Sequence, residues 1–299
     1  MSDGGFLPAG LDRRLTPARP DLAAESLRGQ VNAQRFVAPT PMRVRSEIAD
    51  LRAAPSHETS LDTQALHGER VDVYEITMEG WAWGQLARDG YVGWLSADAL
   101  AADAPATDAP AQINALRRVR APRTFVYPAR SMKTPPLMAL PMNALVAAQD
   151  DDGAFARVEQ GFVWSGHLAP ADEAETDFVA VAESFEHAPY LWGGKTWLGL
   201  DCSGLIQIAL HAAGVAAPRD TDMQAAALGA PTDVRDDLAG LRRGDLVFWR
   251  GHVGVMRDAQ ILLHANGHHM QVASEPLTQA RARIASGGSF GAITTIRRL

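Results

Sequence analysis

The sequence predicts an α+β protein in which two small β-barrels precede a domain of helices packed on an antiparallel sheet. Residues 42–100 alternate apolar and polar side chains between Gly and Asp turn signals, which is typical of short strands. Residues 113–170 loosely repeat this pattern, so we expect an internal repeat. Residues 175–299 place helix-periodic segments first and strand-like segments after them, the order of an α+β domain.

The chain is long enough for several domains. Its 299 residues suit two or three of them, and 46% hydrophobic residues can fill more than one core. We predict an N-terminal arm over 1–40, β-rich domains over 41–104 and 113–172, and a C-terminal domain over 175–299. A linker rich in Pro, Ala and Asp, residues 101–112, separates the two β-rich domains.

Composition excludes several classes of partner. The net charge of −7 argues against nucleic acid binding. The first residues lack a basic start followed by an apolar run, so they do not form a secretory signal. No window approaches the ~20 apolar residues that span a membrane. We therefore expect a cytoplasmic protein with no membrane partner.

The C-terminal domain begins with helical segments. Residues 175–189 have helical spacing and end before a proline. The segment CSGLIQIALHAAG predicts a second helix that Gly214 stops, and RDTDMQAAALG predicts a third, shorter one. Five strands of an antiparallel sheet are then predicted by DLVFW, HVGVM, ILLHA, MQVAS and AITTIRRL.

The single cysteine, Cys202, opens the second predicted helix. Unpaired backbone N–H groups and the helix dipole favour negative charge there, so we expect a lowered thiol pKa. Two histidines on predicted strands follow, His252 and His264, twelve residues apart. A lone cysteine is more often a small buried hydrophobe. One cysteine followed by two histidines instead indicates thiol-nucleophile catalysis.

The motifs PYLWGG, DCSG, GDLVFW, HVGVM and LLHA, in this order, resemble the NlpC-type cell-wall cysteine peptidases, a papain-like group. The β-rich repeats resemble the bacterial SH3-like domains that often precede this catalytic domain. The subgroup with the greatest resemblance is the γ-D-glutamyl-L-diamino acid endopeptidases, also called dipeptidyl-peptidase VI-like enzymes. The resemblance therefore implies a papain-like catalytic domain preceded by two SH3-like β-barrels.

The resemblance also implies an activity. Such an enzyme hydrolyses the γ-D-Glu–diamino acid bond of murein stem peptides that have a free N-terminal L-Ala, and it releases L-Ala-γ-D-Glu. It needs no metal and no organic cofactor. With no export signal predicted, we expect it to act in peptidoglycan recycling. The resemblance leaves open whether the diamino acid is meso-diaminopimelate or lysine.

Three residues are candidates for the chemistry. Cys202 is the nucleophile, and His252 is the base that takes the thiol proton and later protonates the leaving amine. His264 is the third member, which orients His252 and holds its tautomer. Strand alternation across a short turn can place the two imidazoles side by side. A metal site at His264, His268 and His269 is not expected, because this spacing in a loop is usually incidental.

Five further residues are candidates for substrate binding by resemblance. Asp201 and Ser203 cap the helix and also contact substrate, with Asp201 facing the amine of L-Ala. Tyr190 faces the active site near the oxyanion, where the Cys202 N–H supplies the other donor. Tyr91, in the first β-rich domain, belongs to the substrate pocket. Glu58 is the candidate acid that holds the free amine, and Glu69 and Glu75 are interpreted as strand-surface charges.

Two other functions stay open. Papain-like relatives include amidases and acyltransferases that pass the same thioester to an amine or a lipid. The chain could also be a catalytically silent module that binds wall peptides through its SH3-like domains. Retention of Cys202, His252 and His264 together favours an enzyme, because a silent module has no chemical use for all three.

Overall fold

The computed structural model describes residues 6–103, 115–149, 153–232, 238–287 and 290–299. The chain forms two compact units. The first comprises Met1–Arg117, Phe125–Leu140 and Ala144–Gly166, and the second comprises Arg118–Thr124, Pro141–Asn143 and His167–Leu299. The predicted α+β class is confirmed, since antiparallel sheets are combined with a few helices. The predicted linker begins too early, because residues 101 and 102 belong to a strand; from position 104 onward it lies outside the described residues, and the domain boundaries stay predictions.

The N-terminal arm belongs to the first unit and packs on two of its tryptophans, Trp83 and Trp94. It forms a short parallel pair of strands, β1 (Ala23–Ala24) and β2 (Phe36–Val37). Leu22 is fully buried against Trp83 and Trp94. The Arg19 guanidinium lies 4.3 Å and 4.7 Å from the centroids of the same two indole rings. Cation–π and hydrophobic contacts therefore bind the arm to an aromatic surface.

The first β-rich sheet has seven antiparallel strands. They are β3 (Thr40–Val44), β4 (Ile48–Arg52), β5 (Leu61–Leu66), β6 (Arg70–Ile76), β7 (Trp81–Leu86), β8 (Val92–Ser96) and β9 (Leu100–Ala102), in the spatial order β5-β4-β8-β7-β6-β3-β9. Register shifts after Leu51 and Val73 interrupt β4 and β6, and such irregularities bend a strand. At Gly93 a Cβ would lie 2.5 Å from the Leu51 side chain, so only glycine lets these strands approach.

A second seven-stranded sheet has the same strand order as the first. Its strands are β10 (Ala115–Val119), β11 (Arg123–Tyr127), β12 (Met138–Pro141), β13 (Leu145–Gln149), β14 (Phe155–Val158), β15 (Gly161–Trp164) and β16 (Leu168–Pro170), ordered β12-β11-β15-β14-β13-β10-β16. Each strand of the second sheet occupies the same position as the strand of the first sheet whose number is lower by seven, so that β12 corresponds to β5 and β16 to β9. The internal repeat expected from sequence is therefore present in the topology.

The C-terminal region begins with short elements. They are α1 (Phe178–Glu183), the two-stranded hairpin β17 (Lys195–Thr196) and β18 (Gly199–Leu200), α2 (Cys202–Ala212) and α3 (Thr221–Ala227). The first helix is shorter than predicted. Asp177 caps it by accepting hydrogen bonds from the N–H groups of Val179 and Ala180. Helix α2 is apolar nearly throughout, and all but one of its eleven residues are buried.

A six-stranded antiparallel sheet completes this region. Its strands are β19 (Ala230–Pro231), β20 (Leu246–Trp249), β21 (His252–Met256), β22 (Ile261–Asn266), β23 (Gln271–Pro276) and β24 (Thr295–Arg298), ordered β19-β24-β20-β21-β22-β23. Helix α2 packs on β21 and β22. Every residue of β21 is buried, His252 included, which explains why its sequence does not alternate between apolar and polar residues.

A fourth helix, α4 (Leu277–Ser286), was not predicted from the sequence. It follows β23 directly and packs on β22 and β23. Leu277, Ala280 and Ile284 enter a hydrophobic core with residues of the sheet, among them Trp249 and Leu262. None of the helices in the described part of the chain combines the length and apolar character needed to cross a membrane.

Candidate active site

The start of α2 holds the nucleophile candidate in place. Cys202 is the first helical residue, and the Asp201 side chain caps the helix by accepting a 2.7 Å hydrogen bond from the Gly204 N–H. A Cβ at Gly204 would lie 2.2 Å from the Gly194 carbonyl oxygen. Glycine at this position therefore lets the helix start lie directly on the preceding glycine turn.

Both carboxylate oxygens of Asp201 are already hydrogen-bonded. Arg219 donates to Oδ1 at 3.0 Å and to Oδ2 at 2.7 Å, and the Gly193 N–H donates to Oδ2 at 2.9 Å. Ser203 accepts from Arg219 at 2.8 Å and donates to Asp201 Oδ1 at 3.3 Å. A buried bidentate ion pair thus stabilises the helix start. The predicted contacts of Asp201 and Ser203 with substrate stay predictions.

The thiol does not have the lowered pKa that the sequence led us to expect. Cys202 is buried, and its Sγ lies 3.8 Å from Thr221 Oγ1. Burial, followed by the nearby Asp201 carboxylate, raises the pKa of Cys202 to about 11. The expectation was wrong because desolvation disfavours the thiolate more than the helix N-terminus favours it. The resting thiol is therefore protonated at neutral pH.

Strands β21 and β22 bring the two predicted histidines together. His252 Nε2 and His264 Nδ1 are 2.8 Å apart, a hydrogen-bond distance, and both side chains are buried. Burial, with the neighbouring His264 and Arg283 adding to it, lowers the pKa of His252 to about 3. Burial also lowers the pKa of His264. Both imidazoles are therefore neutral at neutral pH.

Sequence reasoning missed two residues behind these histidines. His264 Nε2 lies 2.8 Å from Glu275 Oε1, and Arg283 donates to the same oxygen. Burial opposes ionisation of Glu275, but the hydrogen bond from His264 and the charge of Arg283 outweigh it and lower the pKa of this carboxyl. Glu275 is therefore an ionised carboxylate at the end of a hydrogen-bonded chain that begins at His252.

A cavity of 310 Å³ connects the candidate catalytic groups. It is lined by Tyr190, Trp192, Cys202, His252, His264, Asn266, His268, Arg283, Ile284 and Phe290, among others. Burial, followed by the charges of Cys202 and Asp201, raises the pKa of Tyr190. Its hydroxyl therefore stays protonated and can donate a hydrogen bond into the cavity.

The other two predicted binding residues belong to the first compact unit. Tyr91 is 5% exposed and packs in the core of the first sheet with residues such as Leu51 and Leu86. Glu58 is exposed, and its backbone N–H donates to Ser56 Oγ at 3.2 Å. The predicted substrate contacts of Tyr91 and Glu58 stay predictions.

Glu69 and Glu75 both have arginine partners, and Glu69 is not the strand-surface charge expected from the sequence. Glu69 is buried, forms a 2.5 Å ion pair with Arg88 and accepts a hydrogen bond from a backbone N–H. Glu75 is paired with Arg19 at 2.5 Å and with Arg35 at 3.1 Å. Both carboxylates therefore already neutralise cations of their own unit.

One group of side chains could offer ligands to a metal. His264, His269 and Glu275 each place one ligand atom within 4.8 Å of the others. However, the Glu275 oxygen already accepts hydrogen bonds from His264 and from the cationic Arg283. A metal ion would have to displace both donors, so the arrangement suits a hydrogen-bond network better than a cation. His268, which the sequence spacing groups with His264 and His269, does not belong to this group of possible ligands and lines the cavity.

Known proteins resemble this chain in sequence and in fold. The NlpC/P60 family matches residues 187–284, and the bacterial dipeptidyl-peptidase Sh3 domain matches residues 51–100. A solved NlpC/P60 family protein from Bacillus cereus superposes with a TM-score of 0.70 at 19% identity, covering 86% of this chain and 99% of that one. The chain therefore has a papain-like α+β fold of the NlpC/P60 type, preceded by an SH3-like β-rich region.

Two curated relatives support the assignment. The gamma-D-glutamyl-L-lysine dipeptidyl-peptidase of Bacillus subtilis is 28% identical over 235 residues, covering 74% of this chain and 75% of the relative. The probable endopeptidase NlpC of Escherichia coli is 31% identical over 118 residues, covering 34% of this chain and 73% of the relative. This chain belongs to the NlpC/P60 family, which confirms the resemblance deduced from its motifs.

Proposed function

We propose that this protein is a cysteine peptidase that hydrolyses the bond between γ-D-Glu and the diamino acid of murein stem peptides, releasing L-Ala-γ-D-Glu. The observation that carries the proposal is that Cys202, His252 and His264 line the same cavity. The match of residues 51–100 to a dipeptidyl-peptidase domain and the name of the Bacillus subtilis relative support this substrate class.

Acylation begins from a neutral pair. Because the Cys202 thiol and the His252 imidazole are both uncharged at neutral pH, the proton moves to His252 as sulfur attacks the γ-carbonyl carbon of D-Glu. The C–S bond forms, and the carbonyl oxygen takes the negative charge. His252 then gives its proton to the departing amine as the C–N bond breaks. The product of this step is a thioester and a free diamino acid.

Deacylation reverses these roles. His252 takes a proton from water, the water oxygen attacks the thioester carbon, and the C–S bond breaks with return of a proton to sulfur. In both steps two donors stabilise the oxyanion. They are the backbone N–H of Cys202, at the start of α2, and the Tyr190 hydroxyl, which the raised pKa keeps protonated.

The proposal includes selection of a free amino terminus. A dipeptidyl-peptidase releases two residues from the amino end of its substrate, so blocking that end should abolish cleavage. Selection of this kind suits peptides already released from the wall. We therefore propose that the enzyme acts in murein peptide recycling rather than in remodelling of intact peptidoglycan.

A mass-spectrometric digest tests the proposed reaction. L-Ala-γ-D-Glu-meso-diaminopimelate, its L-lysine counterpart and the N-acetylated form of each are incubated with the wild type and with Cys202→Ala. We expect L-Ala-γ-D-Glu only from free-amine peptides and only with the wild type. Equal cleavage of acetylated peptides would remove the free-amine requirement. If neither peptide is cleaved but added amine acceptors are acylated, the enzyme is an acyltransferase.

A further inference from the structure

Three side chains of the C-terminal unit form one continuous hydrogen-bonded chain. His252 Nε2 meets His264 Nδ1 at 2.8 Å, and His264 Nε2 meets Glu275 Oε1 at 2.8 Å. His264 is completely buried, and His252 is 5% exposed. The three ring nitrogens that take part in this chain, His252 Nε2 and both nitrogens of His264, therefore each have a defined partner, and water has little access to exchange with them.

The protonation of this chain follows from its carboxylate end. An ionised carboxylate can only accept, so His264 Nε2 must carry the proton of its hydrogen bond to Glu275. A neutral His264 then has an unprotonated Nδ1, which must accept from His252 Nε2–H. A neutral His252 in turn has an unprotonated Nδ1. The carboxylate of Glu275 thus decides which nitrogen of His252 is basic, two imidazole rings away.

We propose that Glu275 is a positioning residue that sets the tautomer of both imidazoles and leaves Nδ1 of His252 as the atom that accepts the thiol proton. The role of His252 as a base rests on the proposed function, whereas the tautomers of the two imidazoles do not depend on it. Without the carboxylate, His264 could donate through Nδ1 to His252 Nε2. His252 would then carry its proton on Nδ1 and could not act as a base.

Arg283 fixes the donor–acceptor direction of this hydrogen-bonded chain. Its guanidinium donates to the same Glu275 oxygen that accepts from His264. The atom at that position must therefore be an acceptor. If glutamine replaces Glu275, Arg283 still selects the orientation in which the amide oxygen faces both donors, so the wild-type tautomers should persist. Besides His264 and Arg283, the titratable group whose charge acts on the Glu275 carboxylate is His269.

Nitrogen-15 NMR of the imidazole rings tests the tautomers without any substrate. In the wild type at pH 7 we expect protonated Nε2 and unprotonated Nδ1 in both His252 and His264. Glu275→Gln should keep this pattern. Glu275→Leu should populate the reversed tautomer, and so should the double variant Glu275→Gln with Arg283→Met, in which the amide is free to turn.

Steady-state kinetics on the free-amine peptide give the second readout. Glu275→Gln exchanges a charge-assisted hydrogen bond for a neutral one and should lower kcat about 5-fold. Glu275→Leu should lower kcat about 100-fold with little change in KM, because the base is in the wrong tautomer. Glu186→Gln, which removes a carboxylate that pairs with Arg257 elsewhere in the same unit, is the matched control and should leave kcat unchanged.

Two outcomes would overturn the proposal. One is a wild-type His252 that carries its proton on Nδ1. The other is a Glu275→Leu variant that keeps both the tautomers and kcat. If the tautomers shift as expected but no murein peptide is cleaved by any variant, the proposed function fails while the role of Glu275 in setting the tautomers stands.

Discussion

Two carboxylate–arginine pairs flank the catalytic groups of the C-terminal unit, and they differ in one respect. Asp201 pairs with Arg219, and Glu275 pairs with Arg283. The two carboxylate side chains are equally buried, at 11% exposure each. The Arg219 side chain is 1% exposed, whereas Arg283 is 28% exposed and lines the cavity. Burial of the cation, not of the acid, therefore distinguishes the two pairs.

The difference indicates two separate uses of the same chemistry. The two carboxylate oxygens of Asp201 accept hydrogen bonds from Arg219 and from backbone N–H groups. Its charge therefore stabilises the start of the helix that begins with Cys202. Glu275 directs one oxygen to His264 and so reaches the reacting groups through the imidazoles. The first pair should matter for folding, and the second for proton transfer.

The largest expected effect concerns the thiol beside Asp201. With the pKa of Cys202 raised to about 11, only about 10⁻⁴ of the thiol is ionised at pH 7 in the free enzyme. Alkylation by iodoacetamide should be slow at pH 7 and should rise about tenfold per pH unit up to pH 10. A rate that already reaches its plateau near pH 7 would show a lowered pKa and contradict this account.

The second largest effect is expected on stability, when a substitution breaks the buried ion pair between Asp201 and Arg219. Asp201→Asn keeps a good N-cap residue but leaves the Arg219 charge without its counter-ion, so the free energy of unfolding should fall by about 3–5 kcal/mol. Urea denaturation measures it. Asp177→Asn is the matched control, because Asp177 caps α1 and pairs with Arg243, which is 38% exposed. That control should lose less than about 1 kcal/mol, and equal losses in both variants would contradict the distinction.

The pH dependence of the free energy of unfolding tests the lowered pKa of His252. The pKa of His252 is lowered to about 3 in the folded state, so from pH 6.5 downward the unfolded chain binds a proton that the folded chain does not. The contribution of this group to stability is complete above pH 6.5 and is lost towards pH 3. Between pH 6.5 and 5 the wild type should lose about 2 kcal/mol more than His252→Phe. Parallel stability curves for the two proteins would refute the lowered pKa.

The smallest expected effect is the stability of Glu275→Gln. Arg283 can be solvated from the cavity when its partner loses charge, so the free energy of unfolding should fall by only about 1 kcal/mol. The same urea denaturation series measures this change beside Asp201→Asn. A loss as large as that of Asp201→Asn would mean that Glu275 serves the fold rather than the imidazoles.

Local patterns were enough to predict much of the fold and site. Strand and helix periodicity gave the α+β class, and the motifs around Cys202, His252 and His264 predicted residues that the structure brings to one cavity. Helix α4 was missed because Leu277, Ala280 and Ile284 form only a sparse apolar stripe among polar residues.

Tertiary properties were out of reach of the sequence. The direction of the thiol pKa shift depends on burial, which no local pattern reveals. Glu275 lies on the same face of the sheet as His264 only because β22 and β23 pair in a particular register. Arg219 occupies a loop, where a lone arginine would normally be solvated. Each of these features depends on how distant segments pack together.

The most direct test of the central claim is detection of the acyl-enzyme. The wild type is mixed with L-Ala-γ-D-Glu-meso-diaminopimelate, quenched in acid within the first turnover and analysed by intact-mass spectrometry and peptide mapping. We predict an L-Ala-γ-D-Glu thioester on Cys202, absent from Cys202→Ala, together with release of the diamino acid. Hydrolysis of the peptide by Cys202→Ala at the wild-type rate, with no adduct on the wild-type cysteine, would contradict the account.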